Sequence, residues 1–105
     1  MKQKRMKPAA RKRDILVAAA TIAEAKGYAH VTRDEIAQAV GVTGPAVQHH
    51  FKTMKQLRSD LMRHAVKNRV LVVVAQGLVA GDPHALRADE ALREDAMKLA
   101  LDRYA

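Results

Sequence analysis

Apolar residues recur at helical spacing along most of the chain. In the segment 12–26 the apolar stripe consists of Ile15, Leu16, Ala19, Ile22 and Ala23. Gly27 follows, at a point where a left-handed residue commonly ends a helix. The pattern predicts a first helix over residues 12–26 and a connector over residues 28–31. Residues 1–10 have no apolar period, and we expect them to form a flexible basic arm.

Three threonines mark the starts of further helices. Thr32 and Glu35 have the spacing of a capping box, in which a hydroxyl and a carboxylate each accept a backbone N–H of the first turn. A second helix is therefore predicted over residues 33–40. Thr43 caps a third helix over residues 44–51, whose first turn tolerates a proline. Thr53 opens a fourth helix.

The fourth helix is predicted to be long, with an apolar stripe that rotates along its length. The stripe begins at Leu57, Leu61 and Ala65 and continues through Met62, Val66, Val70, Val73 and Gly77. Residues 70–74 are apolar on nearly all sides, so a second packing surface must bury them in addition to the first three helices. A β-strand over 70–74 is the alternative, although no segment is available to pair with it.

A break at Gly81 and Asp82 precedes Pro83, and a last helix is predicted over residues 88–103. The expected fold class is all-α: a three-helix bundle with a helix-turn-helix, then a long helix and one C-terminal helix that form a dimer interface. The expected domains are the arm 1–10, a DNA-binding domain 11–56 and a helical dimerisation segment 57–105.

Composition narrows the possible functions. The chain has 105 residues, which is too short for a large catalytic cleft within one chain. Its formal net charge is +8. It has no cysteine and hence no disulfide or thiolate zinc site. No apolar run is long enough to span a membrane. We expect a soluble, cytoplasmic, nucleoid-associated protein without cofactor, membrane partner or enzymatic activity.

The positive charge is concentrated in two regions. Residues 1–13 hold seven basic side chains and no acidic one, and residues 43–69 hold six basic side chains against Asp60. Residues 82–105 are mildly acidic. This asymmetry favours a polyanion bound by the first two thirds of the chain. For the arm alone, a solvated tail is an equally good interpretation.

The segment 33–51 has the spacing of a helix-turn-helix. Ala37 is small where two helices would cross, Gly41 suits a turn with positive φ, and Ile36, Val42 and Val47 supply the apolar contacts. The second helix of such a motif can enter the DNA major groove and present its N-terminal residues to base edges.

These residues, with their neighbours in the first and fourth helices, resemble the DNA-binding domain of TetR-family transcriptional regulators over about residues 13–59. The matching positions are Ile15-Leu16, Ala18-Ala19-Ala20, Gly27-Tyr28, Thr32, Ile36-Ala37, Ala39-Val40-Gly41-Val42-Thr43, His50-Phe51 and Leu57. The resemblance implies a two-fold dimer whose third helix reads an operator. Most members carry a longer C-terminal ligand-binding part, so we do not expect a small-molecule effector here. The alternative is that the C-terminal segment forms a small ligand pocket at the dimer seam.

Three positions depart from the family pattern. Gln48 replaces a phosphate-contacting Tyr, Pro45 replaces a Gly, and Met54 replaces a Lys. We expect Lys52, Lys55 and the first N–H groups of the fourth helix to supply the phosphate contacts. Gln48 then becomes a candidate base reader, because its amide can pair with adenine N6 and N7.

The predicted DNA-binding residues are Thr32, Arg33, Thr43, Gly44, Pro45, Ala46, Gln48, His49, Lys52 and Lys55, with Lys4, Arg5, Lys7 and Arg11 in the N-terminal arm. For Arg33 a plain capped surface helix is an alternative. The adjacent His49 and His50 lack metal-ligand spacing, so no metal site is predicted. We expect His50 to pack beside Phe51.

The predicted function is a small dimeric DNA-binding repressor that recognises a palindromic operator on double-stranded DNA. The alternative is a helical protein-interaction module that acts on polymerase or another regulator and uses the surface of residues 70–74.

Overall fold

Residues 8–104, which the computed structural model describes, form helices joined by short turns. These are α1 (Pro8–Lys26), α2 (Arg33–Val40), α3 (Gly44–His50), α4 (Met54–Lys67), α5 (Leu71–Ala80), α6 (Pro83–Leu86) and α7 (Glu90–Tyr104), with a 3-10 turn over Tyr28–His30. This part of the chain contains no strand. The all-α prediction is therefore confirmed, and the alternative of a strand over residues 70–74 is wrong.

The predicted caps form as hydrogen-bonded structures. The hydroxyl of Thr32 accepts the N–H of Glu35 at 3.2 Å, and the Glu35 carboxylate accepts the N–H of Thr32 at 3.1 Å. Thr43 and Thr53 accept the N–H groups of the residues three positions on, at 3.3 and 3.0 Å. These contacts satisfy first-turn N–H groups and set where α2, α3 and α4 begin.

The first helix is longer than predicted. It begins at Pro8, so residues 8–10, which we expected in the arm, are helical. Proline suits the first helical position because its missing N–H would have no partner there. The remaining arm residues, including Lys4, Arg5 and Lys7, lie outside the described part of the chain.

The single long helix predicted after Thr53 is wrong, because the chain breaks between α4 and α5. Asn68 caps α4, and its side-chain Nδ2 donates to the carbonyl of His64 at 2.9 Å. Arg69 then has φ of 53°, a left-handed conformation that does not continue a right-handed helix. After the break, α5 takes a new direction.

Much of the apolar run over residues 70–74 is buried in the core after this break. Val73 and Val74 are fully buried, and α7 packs along α5. The rotating stripe of the predicted long helix is therefore covered within one chain, and it is not available as the dimer seam that we expected. Asp82 caps α6, and α7 begins at Glu90, two residues later than predicted.

The core is continuous from α1 to α7. The boundary expected after residue 56 falls inside α4, whose Leu57, Leu61 and Met62 are buried among residues from both halves of the chain. Close packing of α4, α5 and α6 requires Gly77, since a Cβ there would lie 2.5 Å from Met62 Cε and 2.8 Å from Ala85 Cβ. Among the described residues, no helix has the length and apolar character needed to cross a membrane.

Candidate nucleic-acid interface

The turn between α2 and α3 has the backbone of a helix-turn-helix. Gly41 adopts φ of 81°, and the N–H groups of Gly41 and Val42 both donate to the carbonyl of Ala37 at 2.9 Å. Ile36 and Val47 are buried on the inner sides of the two helices. These contacts hold α3 at a fixed angle to α2 and leave its opposite face open.

The open face of α3 carries several of the predicted DNA-binding residues. Val47 points into the core, whereas Pro45, Gln48 and His49 are exposed and Gly44 and Ala46 are partly exposed. Thr43, which caps the helix, is exposed as well. The side chains predicted to meet base edges are thus outside the core, as base reading requires.

A groove of about 240 Å³ runs between the start of α2, one side of α3 and the start of α4. We call it the α2–α4 groove. Its lining residues are Thr32, Arg33, Asp34, Val47, Gln48, Phe51, Lys52, Thr53, Met54 and Leu57. The fold therefore brings together Thr32, Arg33, Gln48 and Lys52, which the sequence placed at the start of the second predicted helix, in the third and just after it. Lys55 is exposed in the first turn of α4, outside this lining.

A hydrogen bond across this groove was not foreseen from the sequence. Nη1 of Arg33 donates to Oε1 of Gln48 at 2.5 Å, although the two residues are 15 positions apart. No sequence spacing signals this pair, because it exists only when α2 and α3 cross. The bond joins the first residue of α2 to the exposed face of α3.

The acidic side chain of the capping box is neutralised by a neighbour. Lys26 at the end of α1 lies 2.7 Å from Glu35, and the hydrogen bonds from Lys26 and Thr32 hold the pKa of Glu35 below its usual 4.5. This ion pair ties the end of α1 to the first turn of α2. It also lessens the repulsion that a carboxylate here would exert on a phosphate.

Basic residues of α1 lie beside the end of α3. Lys12 Nζ is 5.2 Å from the centre of the Phe51 ring, a cation–π contact. The pKa of His50 is lowered chiefly by burial, and further by the charges of His49, Arg11 and Lys12. The predicted arm residue Arg11 is therefore close to the end of α3, and Lys12, absent from the predicted site, is close as well.

The two adjacent histidines form an aromatic pair with no sign of a metal site. The rings of His49 and His50 meet edge to face with centres 5.3 Å apart. In the described range 8–104, no group of three or more His, Cys, Asp or Glu side chains is placed to hold a metal ion.

A second, largely apolar groove of about 370 Å³ lies away from this surface. It is lined by Gly27, Tyr28, Ala29, His30, Val72, Ala75, Gln76, Val79, Ala80, Leu99, Ala100 and Arg103. It is therefore formed by the 3-10 turn, α5 and α7 of a single chain.

Residues 15–61 match the model of a family of bacterial regulatory proteins, the tetR family. The match begins in α1, covers the capping box, the helix-turn-helix and the α2–α4 groove, and ends within α4. No curated protein and no solved structure matches the chain significantly.

Proposed function

Because residues 15–61 match the tetR family of bacterial regulatory proteins, we propose that the chain is a DNA-binding transcription regulator. We propose further that it is a repressor and binds a palindromic operator as a homodimer. The observation that carries the proposal is the open face of α3, where Pro45, Gln48 and His49 are exposed beside the α2–α4 groove.

The exposed face of α3 has the dimensions and chemistry for base reading. A helix fits the major groove, which is about 12 Å wide, and side chains near its N-terminus reach base edges. Gln48 and His49 are the polar residues available on this face, and Pro45 and Ala46 offer apolar contact to a thymine methyl group. We therefore assign sequence recognition to α3.

Phosphate contacts would flank this helix on both sides. Thr32, Arg33 and Lys52 line the α2–α4 groove, and the first N–H groups of α4 lie at its edge. Lys55 adds a cation in the first turn of α4. Cations and N–H groups of this kind bind phosphate oxygens without reading sequence. On the other side, Arg11 of α1, close to His50, would add a further cation.

A homodimer would present two such helices to one face of the duplex. Since α7 covers the apolar run of α5, we place the seam on the outer side of α7, where Met97 and Leu101 are exposed four residues apart. Two-fold symmetry in the protein matches a palindrome whose half-sites lie about one helical turn apart or slightly more.

Selection of bound sequences from a random duplex pool tests this function. We expect an inverted repeat with half-sites about one turn apart, and affinity that falls steeply between about 50 and 200 mM salt. Retention of no duplex at low salt would refute DNA binding and favour the protein-interaction module. Selection of a single, unrepeated half-site would refute the dimer alone.

A further inference from the structure

The contact between Arg33 and Gln48 determines which atoms Gln48 can offer to DNA. A guanidinium group has only donors, so the amide atom that faces Nη1 of Arg33 must be the oxygen, Oε1. The amide oxygen and nitrogen lie on opposite sides of the same carbon. When the oxygen points to Arg33, the NH₂ group therefore points away from it.

Arg33 also lies close to Gly44, the first residue of α3. A Cβ on Gly44 would lie 3.5 Å from Nε of Arg33 and 3.4 Å from Oδ1 of Asp34. The guanidinium thus lies close over the first turn of α3. Both Arg33 and Gln48 are exposed, so a duplex bound over the α2–α4 groove would contact the two side chains while they are hydrogen-bonded to each other.

This arrangement disfavours adenine as the partner of Gln48. Pairing with adenine requires the amide oxygen to accept from N6 and the amide nitrogen to donate to N7 on the same base edge. The bond to Arg33 occupies one lone pair of the oxygen and points the NH₂ donors away from the guanidinium. Guanine offers these donors two acceptors, O6 and N7, whereas adenine offers only N7 beside its own N6 donor.

We propose that Arg33 is a specificity-determining positioning residue: it orients Gln48 so that the amide NH₂ donates to guanine, at O6 and N7, in place of pairing with adenine. The inference rests on the proposed function, because it requires α3 to lie in the major groove. It assigns to Arg33 a role distinct from phosphate binding.

Duplex selection with four proteins tests the assignment. Wild type and Gln48→Ala together identify the base pair that depends on Gln48. At that pair we expect wild type to favour G·C over A·T by about five- to 150-fold. Arg33→Met keeps an unbranched side chain but has no donor, so it should free the Gln48 oxygen and shift the preference towards A·T.

Lys52→Ala is the matched control, since Lys52 is a cation of the same groove without the bond to Gln48. It should weaken binding to all duplexes alike and leave the base preference unchanged. All variants alter exposed residues, and thermal unfolding by circular dichroism confirms that each is folded.

Three outcomes would overturn the assignment while DNA binding stands: a wild-type preference for an A·T pair at the Gln48-dependent position, no base pair that depends on Gln48, or an Arg33→Met protein that loses affinity uniformly without a change in preference. Absence of binding to any duplex by wild type is a different result, because it refutes the proposed function itself and the inference with it.

Discussion

At the level of single residues, Lys52 and Lys55 occupy different positions around the groove that a phosphate backbone would enter. Lys52 lines the α2–α4 groove, and Lys55 is exposed in the first turn of α4. Phosphate contacts release counterions, so each lost contact lowers the slope of log affinity against log salt by about one. We expect Lys55→Ala to weaken operator and random duplex alike and to reduce this slope, measured by fluorescence anisotropy.

Lys98 provides the control for this experiment, because it is an exposed lysine on α7. Lys98→Ala changes the net charge by the same amount and should leave the salt slope as it is. An equal effect of the two substitutions would mean that overall charge, and not a contact at α4, governs the affinity.

His64 makes the stability of the fold sensitive to pH. Burial, with a smaller contribution from Lys67, lowers its pKa below the usual 6.5, and Nδ2 of Asn68 lies 3.2 Å from its Nδ1. As the pH falls below about 6.5 the unfolded chain takes up a proton that the folded chain resists, so the free energy of unfolding decreases.

Urea unfolding from pH 8 to pH 5 measures this effect. His64→Gln should flatten the decline of stability with acid, since it cannot bind the proton. At pH 8 the imidazole is neutral in both states, so any difference there reports packing alone. An unaltered pH profile in the variant would show that other groups cause the decline.

At the level of elements, one side chain of α5 links the two halves of the chain. Oε1 of Gln76 accepts the N–H of Tyr28 at 2.9 Å, and Nε2 donates to the carbonyl of Ala23 at 2.8 Å. Gln76→Ala would leave the N–H of Tyr28 without this partner. A partly buried donor without a partner costs about 1–3 kcal/mol, which we expect as the loss in free energy of unfolding.

Gln38, exposed on α2, supplies the comparison. Gln38→Ala should change the free energy of unfolding by no more than about 0.5 kcal/mol, as surface substitutions usually do. If urea titrations give equal values for the two variants, the contacts of Gln76 do not hold α5 to the end of α1.

At the level of the whole molecule, the association of two chains is expected to depend on the outer side of α7. Leu101 is 66% exposed, so its replacement by serine should leave the fold intact. We expect Leu101→Ser to shift the protein from dimer towards monomer in sedimentation equilibrium and to weaken binding to a full palindrome more than to a half-site.

Val17 is 50% exposed on α1, away from the proposed seam, and Val17→Ser should leave the association unchanged. A dimer that persists in Leu101→Ser, or one that is lost in Val17→Ser, would place the seam elsewhere.

Local signals accounted for most of the elements and part of the candidate site. The capping threonines, the glycine with positive φ at Gly41 and the apolar stripe of α1 act within a few residues, so the sequence by itself determined an all-helical chain and a helix-turn-helix. The same signals were enough to propose α3 as the DNA-reading helix.

Other features depend on residues far apart in the chain, and only the tertiary structure decided them. The left-handed turn at Arg69 has no glycine to mark it, and it separates α4 from α5, in which Val73 and Val74 are buried and along which α7 packs. The bond between Arg33 and Gln48 forms because two helices cross. Periodicity describes one helix at a time, whereas burial and hydrogen bonding between helices depend on how the whole chain packs.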